Sequence, residues 1–232
     1  MKNLPLIELP THELLDKFGS GGHKPGSGSA AALMGLLSCK LICTVAHLTR
    51  SKEKYRSVHS IAEYIQSQIE GEIEPRLKYL FEKDAQIFDD VITLRRERDA
   101  ALTDKEKRRL QEKHLEALRV ATEIPCEICE LCIKLIDHGV AIFDIGFESA
   151  RGDTGAALSA AVAGAMSGIF VINLNLRSFR GSDWAKARRS DCDRLHGLLE
   201  SKQQAAFGRV VKLKEEDVQS MSFVFDKPAS GQ

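Results

Sequence analysis

This sequence predicts an all-α fold, a multihelical bundle or array with two central apolar helices. Three observations carry the prediction. Apolar residues recur at spacings of three and four over most of the 232 residues, the period of a helix with one buried face. No run alternates apolar and polar residues long enough for a half-buried strand. Two segments, 30–48 and 156–176, are apolar most of the way round, which places them centrally.

The elements follow in order. Residues 11–18 read as a short helix with Leu14, Leu15 and Phe18 on one face. A loop comes next, with five glycines and three serines in the eleven residues from Gly19 to Ser29. It opens a long helix from Ser27/Ser29 to about Thr49, interrupted only by Lys40 and His47. Helical spacing resumes over 52–98, with Pro75 able to break or kink it. Thr103-x-x-Glu106 is a capping box that starts a helix running to about Ala121. Pro125 suits the first position of another helix, which ends near His138-Gly139. A further segment covers 140–149. The second central helix spans 156–176, and a last amphipathic helix runs from Trp184 to Ala206. One helical domain, 1–206, is expected, with 207–232 as a C-terminal extension whose end, Pro228–Gln232, is disordered.

Composition excludes several classes. Lys+Arg and Asp+Glu are both 33, which argues against bulk electrostatic binding to nucleic acid or a membrane surface. The apolar segment 156–176 nearly matches a bilayer in length, but it is mostly Ala, Gly and Ser and reads as a close-packed core helix. The N-terminus lacks an apolar signal core, so the protein is expected in the cytoplasm. Cys126, Cys129 and Cys132 have a metal-site spacing, yet they fall on the buried stripe of a helix, and no fourth cysteine follows at ferredoxin spacing. No metal is expected. Surplus apolar surface on the central helices points to a homodimer.

The chemistry concentrates at two helix starts and one helix interior. The glycine loop lets backbone approach a ligand closely, and the helix behind it offers free N–H groups to an anion. Lys24 adds a charge and His23 a titratable group. The plainer reading is a turn capped by Ser27 or Ser29. The loop is no Walker A motif, because Lys24 precedes Pro25 instead of closing the loop. Asp84 lies among Phe81, Ile87, Phe88 and Val91, where partial desolvation suits proton transfer. Asp153 sits at the start of the second central helix, where it can act as a cap.

Gly26-Ser27-Gly28-Ser29-Ala30-Ala31-Ala32, Asp84 to Phe88, Arg151-Gly152-Asp153 and Asn173-Leu174-Asn175-Leu176, in that order and spacing, resemble the cyclodeaminase/cyclohydrolase family. That family comprises the C-terminal half of formiminotransferase-cyclodeaminase and stand-alone relatives, methenyltetrahydrofolate cyclohydrolases among them. The resemblance runs from about Leu14 to Leu199. It implies an all-helical homodimer acting on a one-carbon tetrahydrofolate. A cyclohydrolase adds water to the methenyl bridge; a cyclodeaminase closes the formimino form and releases ammonia. Both pass through a tetrahedral carbon between two nitrogens and need a positioned acid/base, with no metal or redox cofactor. Asp84 matches the family's catalytic acid/base. Lys24, Gly26, Ser27, Gly28, Ser29, Arg151, Asp153 and Asn175 fall on or beside its substrate-binding positions. The chain departs from the pattern at Ser27 (for Gly), Phe147 (for Asn), Gly152 (for Ser) and Val171 (for Asn), with Asn173 near enough to substitute in part. A diverged, non-catalytic helical dimer binding a folate-like or other anionic ligand is the alternative.

Overall fold

The computed structural model describes residues 4–225, with side chains through 219. Its main elements are α1 (Thr11–Gly19), α2 (Ser27–Arg50), α3 (His59–Gln68), α4 (Glu74–Ala100), α5 (Asp104–Ile145), α6 (Arg151–Leu176) and α7 (Asp183–Phe225). No strand occurs among the described residues. The expected all-α class holds. The expected disorder at Pro228–Gln232 lies outside the described residues.

Helices α2 and α6 form the centre and run antiparallel. A methyl on Gly164 would meet the Ala31 carbonyl at 2.9 Å and Cys132 Sγ at 2.8 Å, so a side chain there would push α6 off both α2 and α5. Around this pair, α4 runs antiparallel to α2, and α4 and α5 form an antiparallel hairpin. Both central helices are long and apolar enough to cross a bilayer by length and composition. In the fold they supply the bundle core, with Ala31, Ala32, Cys39, Ile42, Ala157, Ala161, Ala165 and Ile172 fully buried.

Two expected boundaries move. The helix expected over 52–98 is continuous: a 3₁₀ turn at Glu53–Val58, α3, a π-turn at Ile69–Ile73 and α4 follow one another without a gap. Pro75 lies in the first turn of α4, directly after the π-turn. The two helices expected either side of Pro125 are one, α5, with Pro125 inside it. A mid-helix proline leaves the carbonyl four residues earlier without its donor. Here that carbonyl belongs to Ala121, and the side-chain amide of Asn175 donates to it at 3.3 Å. The expected stop at Gly139 fails for a packing reason: Leu158 of α6 presses where a Cβ would stand, 2.7 Å away, so this glycine serves close contact and not chain termination.

The last helix also outruns its expected end at Ala206 and continues through the start of the extension to Phe225. It lies parallel to α5, held by ion pairs at regular intervals. Arg188 meets Glu123 at 2.8 Å and Arg194 meets Glu130 at 3.4 Å. Lys202 pairs with Asp137, and Arg209 and Lys212 with Asp144. The four acids stand seven residues apart, the repeat that keeps one seam facing a parallel partner helix.

Candidate active site

The site forms where α2 begins. Gly26 is the residue before α2, and neither it nor a neighbour caps the helix with its own side chain. The cap comes from α4. Asp84 Oδ2 accepts from the Ser29 backbone N–H at 2.7 Å and lies 3.0 Å from Ser29 Oγ. A carboxylate at a helix N-terminus also meets the positive end of the helix dipole. The other oxygen, Oδ1, accepts no hydrogen bond among the described residues and lies against Gly28, where a Cβ would be 2.1 Å away. Asp84 is 6% exposed. Burial pushes its carboxyl above the usual carboxylate range, against the downward pull of the two Ser29 donors.

The glycine loop is tied to the same helix one turn further on. His23 Nε2 lies 2.7 Å from Asp89 Oδ1, and its ring leans on Phe88 at 6.5 Å. The His23 hydrogen bond holds the Asp89 carboxyl below its ordinary value. Lys24 reaches within 3.9 Å of Asp89. It also lines a cavity of about 520 Å³ on the exposed side of α4, together with Leu6, Leu9, Lys17 and Gln86. Asp89 is the site-end residue that sequence reading missed. Its position next to Phe88 and five residues past Asp84 on one helix was the available signal.

The other expected site residues disperse. Ser27 is exposed at the first position of α2, so its departure from glycine crowds nothing. Asn175 lies at the α2-start end of the bundle, but its amide is spent on Ala121. Arg151 and Asp153 lie at the opposite end, because α6 runs against α2. There the Phe147 N–H donates to Thr49 Oγ1 at 2.9 Å, tying the approach to α6 to the end of α2. Gly28 and Thr49 are roughly 30 Å apart along α2. Arg151 stacks 5.0 Å over the Phe143 ring and pairs with Glu216 of α7. Asp153 is exposed in the first turn of α6 and does not cap it. The resemblance groups Asp84 with Arg151 and Asp153 in one site; within one chain they occupy opposite ends.

Two of the departures from the family pattern, Phe147 and Gly152, belong to that far end. Phe147 packs edge-on against Tyr55 at 6.0 Å, with Lys52 Nζ 5.3 Å from its ring. Asn173, the expected partial substitute, is exposed, and its amide donates to the Ile169 carbonyl at 3.0 Å. The cysteines behave as buried apolar groups: desolvation pushes the Cys126 and Cys129 thiols up to about 12. Among the described residues no three His, Cys, Asp or Glu side chains converge on a point that could hold a metal.

Residues 10–194 match the family described as Formiminotransferase-cyclodeaminase. The chain is 30% identical over 188 residues to the methenyltetrahydrofolate cyclohydrolase of Methylorubrum extorquens AM1, covering 80% of this chain and 86% of that one. Its fold superposes on the crystal structure of formiminotetrahydrofolate cyclodeaminase from Thermotoga maritima with a TM-score of 0.76. That match has 21% identity and covers 90% of this chain and 98% of the other. The matched segment takes in α1 to α6, the glycine loop and Asp84, and by its extent and the 30% relative the chain belongs to the formiminotransferase-cyclodeaminase family of enzymes.

Proposed function

We propose that the protein converts a one-carbon tetrahydrofolate in the cytoplasm, as a methenyltetrahydrofolate cyclohydrolase or a formiminotetrahydrofolate cyclodeaminase, with Asp84 as general acid/base. One observation carries the reading: the Asp84 carboxyl is buried, anchored through Oδ2 and left free at Oδ1. A carboxyl raised by desolvation holds a proton more readily than an ordinary one, which suits it to take a proton and return it. In the cyclohydrolase reaction Oδ1 takes a proton from water as it adds to the bridging carbon, then returns it to the nitrogen that leaves, while the new hydroxyl gives its own proton to solvent and becomes the formyl carbonyl. In the cyclodeaminase reaction the second folate nitrogen adds to the carbon of the protonated formimino group, and the same oxygen takes that nitrogen's proton and gives it to the amine that departs as ammonia. Lys24 and the N–H groups of Gly26 to Gly28 attract the carboxylates of the folate, the Ser29 N–H being held by Asp84. The retained pairing of Asp84 with Gly28 disfavours a non-catalytic dimer.

A homodimer belongs to this reading. The outer faces of α2 and α6 expose Leu37, Met166, Phe170 and Leu174, apolar surface that a second copy would cover. Two copies packed with these helices antiparallel bring the Asp84 end of one beside the Arg151–Asp153 end of the other. That is the arrangement in which Arg151 and Asp153 can serve the same substrate as Asp84.

The test is the loss of methenyltetrahydrofolate absorbance with purified protein, alongside ammonia release from formiminotetrahydrofolate. One of the two is expected above background and abolished by Asp84→Asn. Background rates with both substrates would sink the proposal.

A further inference from the structure

Ser29 stands at an unusual junction. Its hydroxyl has one proton and two acceptors in reach: Asp84 Oδ2 at 3.0 Å and the Phe81 carbonyl at 3.1 Å. Its backbone N–H donates separately to Oδ2 at 2.7 Å. The residue is fully buried, so water cannot take the place of either acceptor. It follows that the hydroxyl satisfies one acceptor at a time, and that the choice depends on the charge of Asp84.

We infer that Ser29 is a positioning residue whose hydroxyl turns from the Asp84 carboxyl to the Phe81 carbonyl when Asp84 takes up a proton, and turns back when it gives the proton away. The inference rests on the reading of Asp84 as acid/base. With Asp84 ionised, Oδ2 accepts both Ser29 donors, and a bond to a charged acceptor is the stronger one. With Asp84 protonated, Oδ2 keeps the backbone N–H, which directs the proton to Oδ1. The hydroxyl then keeps a full hydrogen bond by moving to Phe81, a helix carbonyl that is already an acceptor. Neither state strands a buried polar group. The proton therefore enters and leaves at Oδ1, beside Gly28, and the anchor at Oδ2 never releases.

Among the described residues no other side chain is hydrogen-bonded to Asp84. From the loop, His23 and Lys24 turn to Asp89. On α5, near the same level, Arg119 stacks over Trp184 and Glu123 pairs with Arg188. On α2, Ser27 and Gly28 carry no charge, and Lys83, the neighbour of Asp84 on α4, makes no ion pair with it among the described residues.

The test is ¹³C NMR titration of the Asp84 carboxyl in the free full-length protein, compared between wild type and Ser29→Ala. Loss of one hydrogen bond to a charged acceptor is expected to move the titration upward by about one to two pH units. The rising limb of the kcat/KM pH profile should move equally, with KM unchanged at high pH. Ser29→Cys, which keeps a weak donor, should fall between and serves if the alanine variant does not fold. An unmoved carboxyl titration overturns the inference. So does a raised KM with an unmoved limb, which would make Ser29 a substrate ligand. A titration that shifts in a protein without turnover on either folate would leave the Ser29–Asp84 pairing standing and remove the proposed function instead.

Discussion

Gly28 leaves the space that Asp84 occupies: a methyl on its Cα would stand 2.1 Å from Oδ1. Gly28→Ala should therefore displace the carboxyl from the start of α2. Overpacking of this kind costs about 1–3 kcal/mol of stability, and a 1 Å misplacement of a reacting group costs about a hundredfold in rate. Urea unfolding and the methenyltetrahydrofolate assay measure the two losses. A variant with wild-type activity would show that Oδ1 is not the reacting oxygen.

Asp84→Asn should abolish turnover and raise stability at neutral pH. The sign follows from the raised carboxyl. A group that binds its proton more tightly folded than unfolded adds stability below its unfolded pKa. It loses that contribution as pH climbs through its folded value. The amide never ionises, so its advantage over wild type should be absent in acid and grow toward pH 8. Melting temperatures between pH 4 and 8 check this, and an advantage that shrinks with pH would refute it.

Asn175 and Pro125 should prove coupled. Removing the Asn175 amide leaves the Ala121 carbonyl buried and unmet, at a cost of about 1–3 kcal/mol. In a Pro125→Ala background the new backbone N–H can reach that carbonyl, so the same Asn175→Ala change should cost well under half as much. A double-mutant cycle by urea unfolding reads the difference. Additive losses would mean that the Asn175 hydrogen bond does not answer the proline.

The outer ladder of α7 should be salt-sensitive. Each exposed pair is worth about 0.2–1 kcal/mol, and the Debye length falls from about 10 Å at 0.1 M salt to about 3 Å at 1 M. Hydrogen exchange in 202–216 should quicken between those conditions while α6 stays protected. Asp144→Asn, which loses two cations at once, should have the largest effect among the four acids. Equal responses in α6 and α7 would remove the ladder as the cause.

What could be read from the sequence was what is local. The start of α5 is such a case: Thr103 accepts from the Glu106 N–H at 3.3 Å, a pairing written within four residues. Asp84 could be singled out because its apolar neighbours lie on its own helix. Pro125 misled because its tolerance depends on Asn175, fifty residues away. The reach of α7 was missed for a related reason. Past Ala206 its exposed face carries Phe207, Val210 and Val218, which suggests no buried side. Past residue 206 its charged partners are Asp144 at the end of α5 and Arg151 at the start of α6, visible only when the helices are read together. Arg151 and Asp153 were grouped with Asp84 by the family resemblance, which says nothing of how one chain packs, and antiparallel packing sends the starts of α2 and α6 to opposite ends.

The cross-helix cap has a consequence for reading related sequences. Asp84 closes the start of α2 whether or not any folate is transformed, so a descendant that lost its chemistry would still be under pressure to keep an acceptor there. The aspartate alone is thus a poor marker of activity. The more telling marker is the glycine that faces it, since a structural cap tolerates a shifted carboxyl and a reacting one does not.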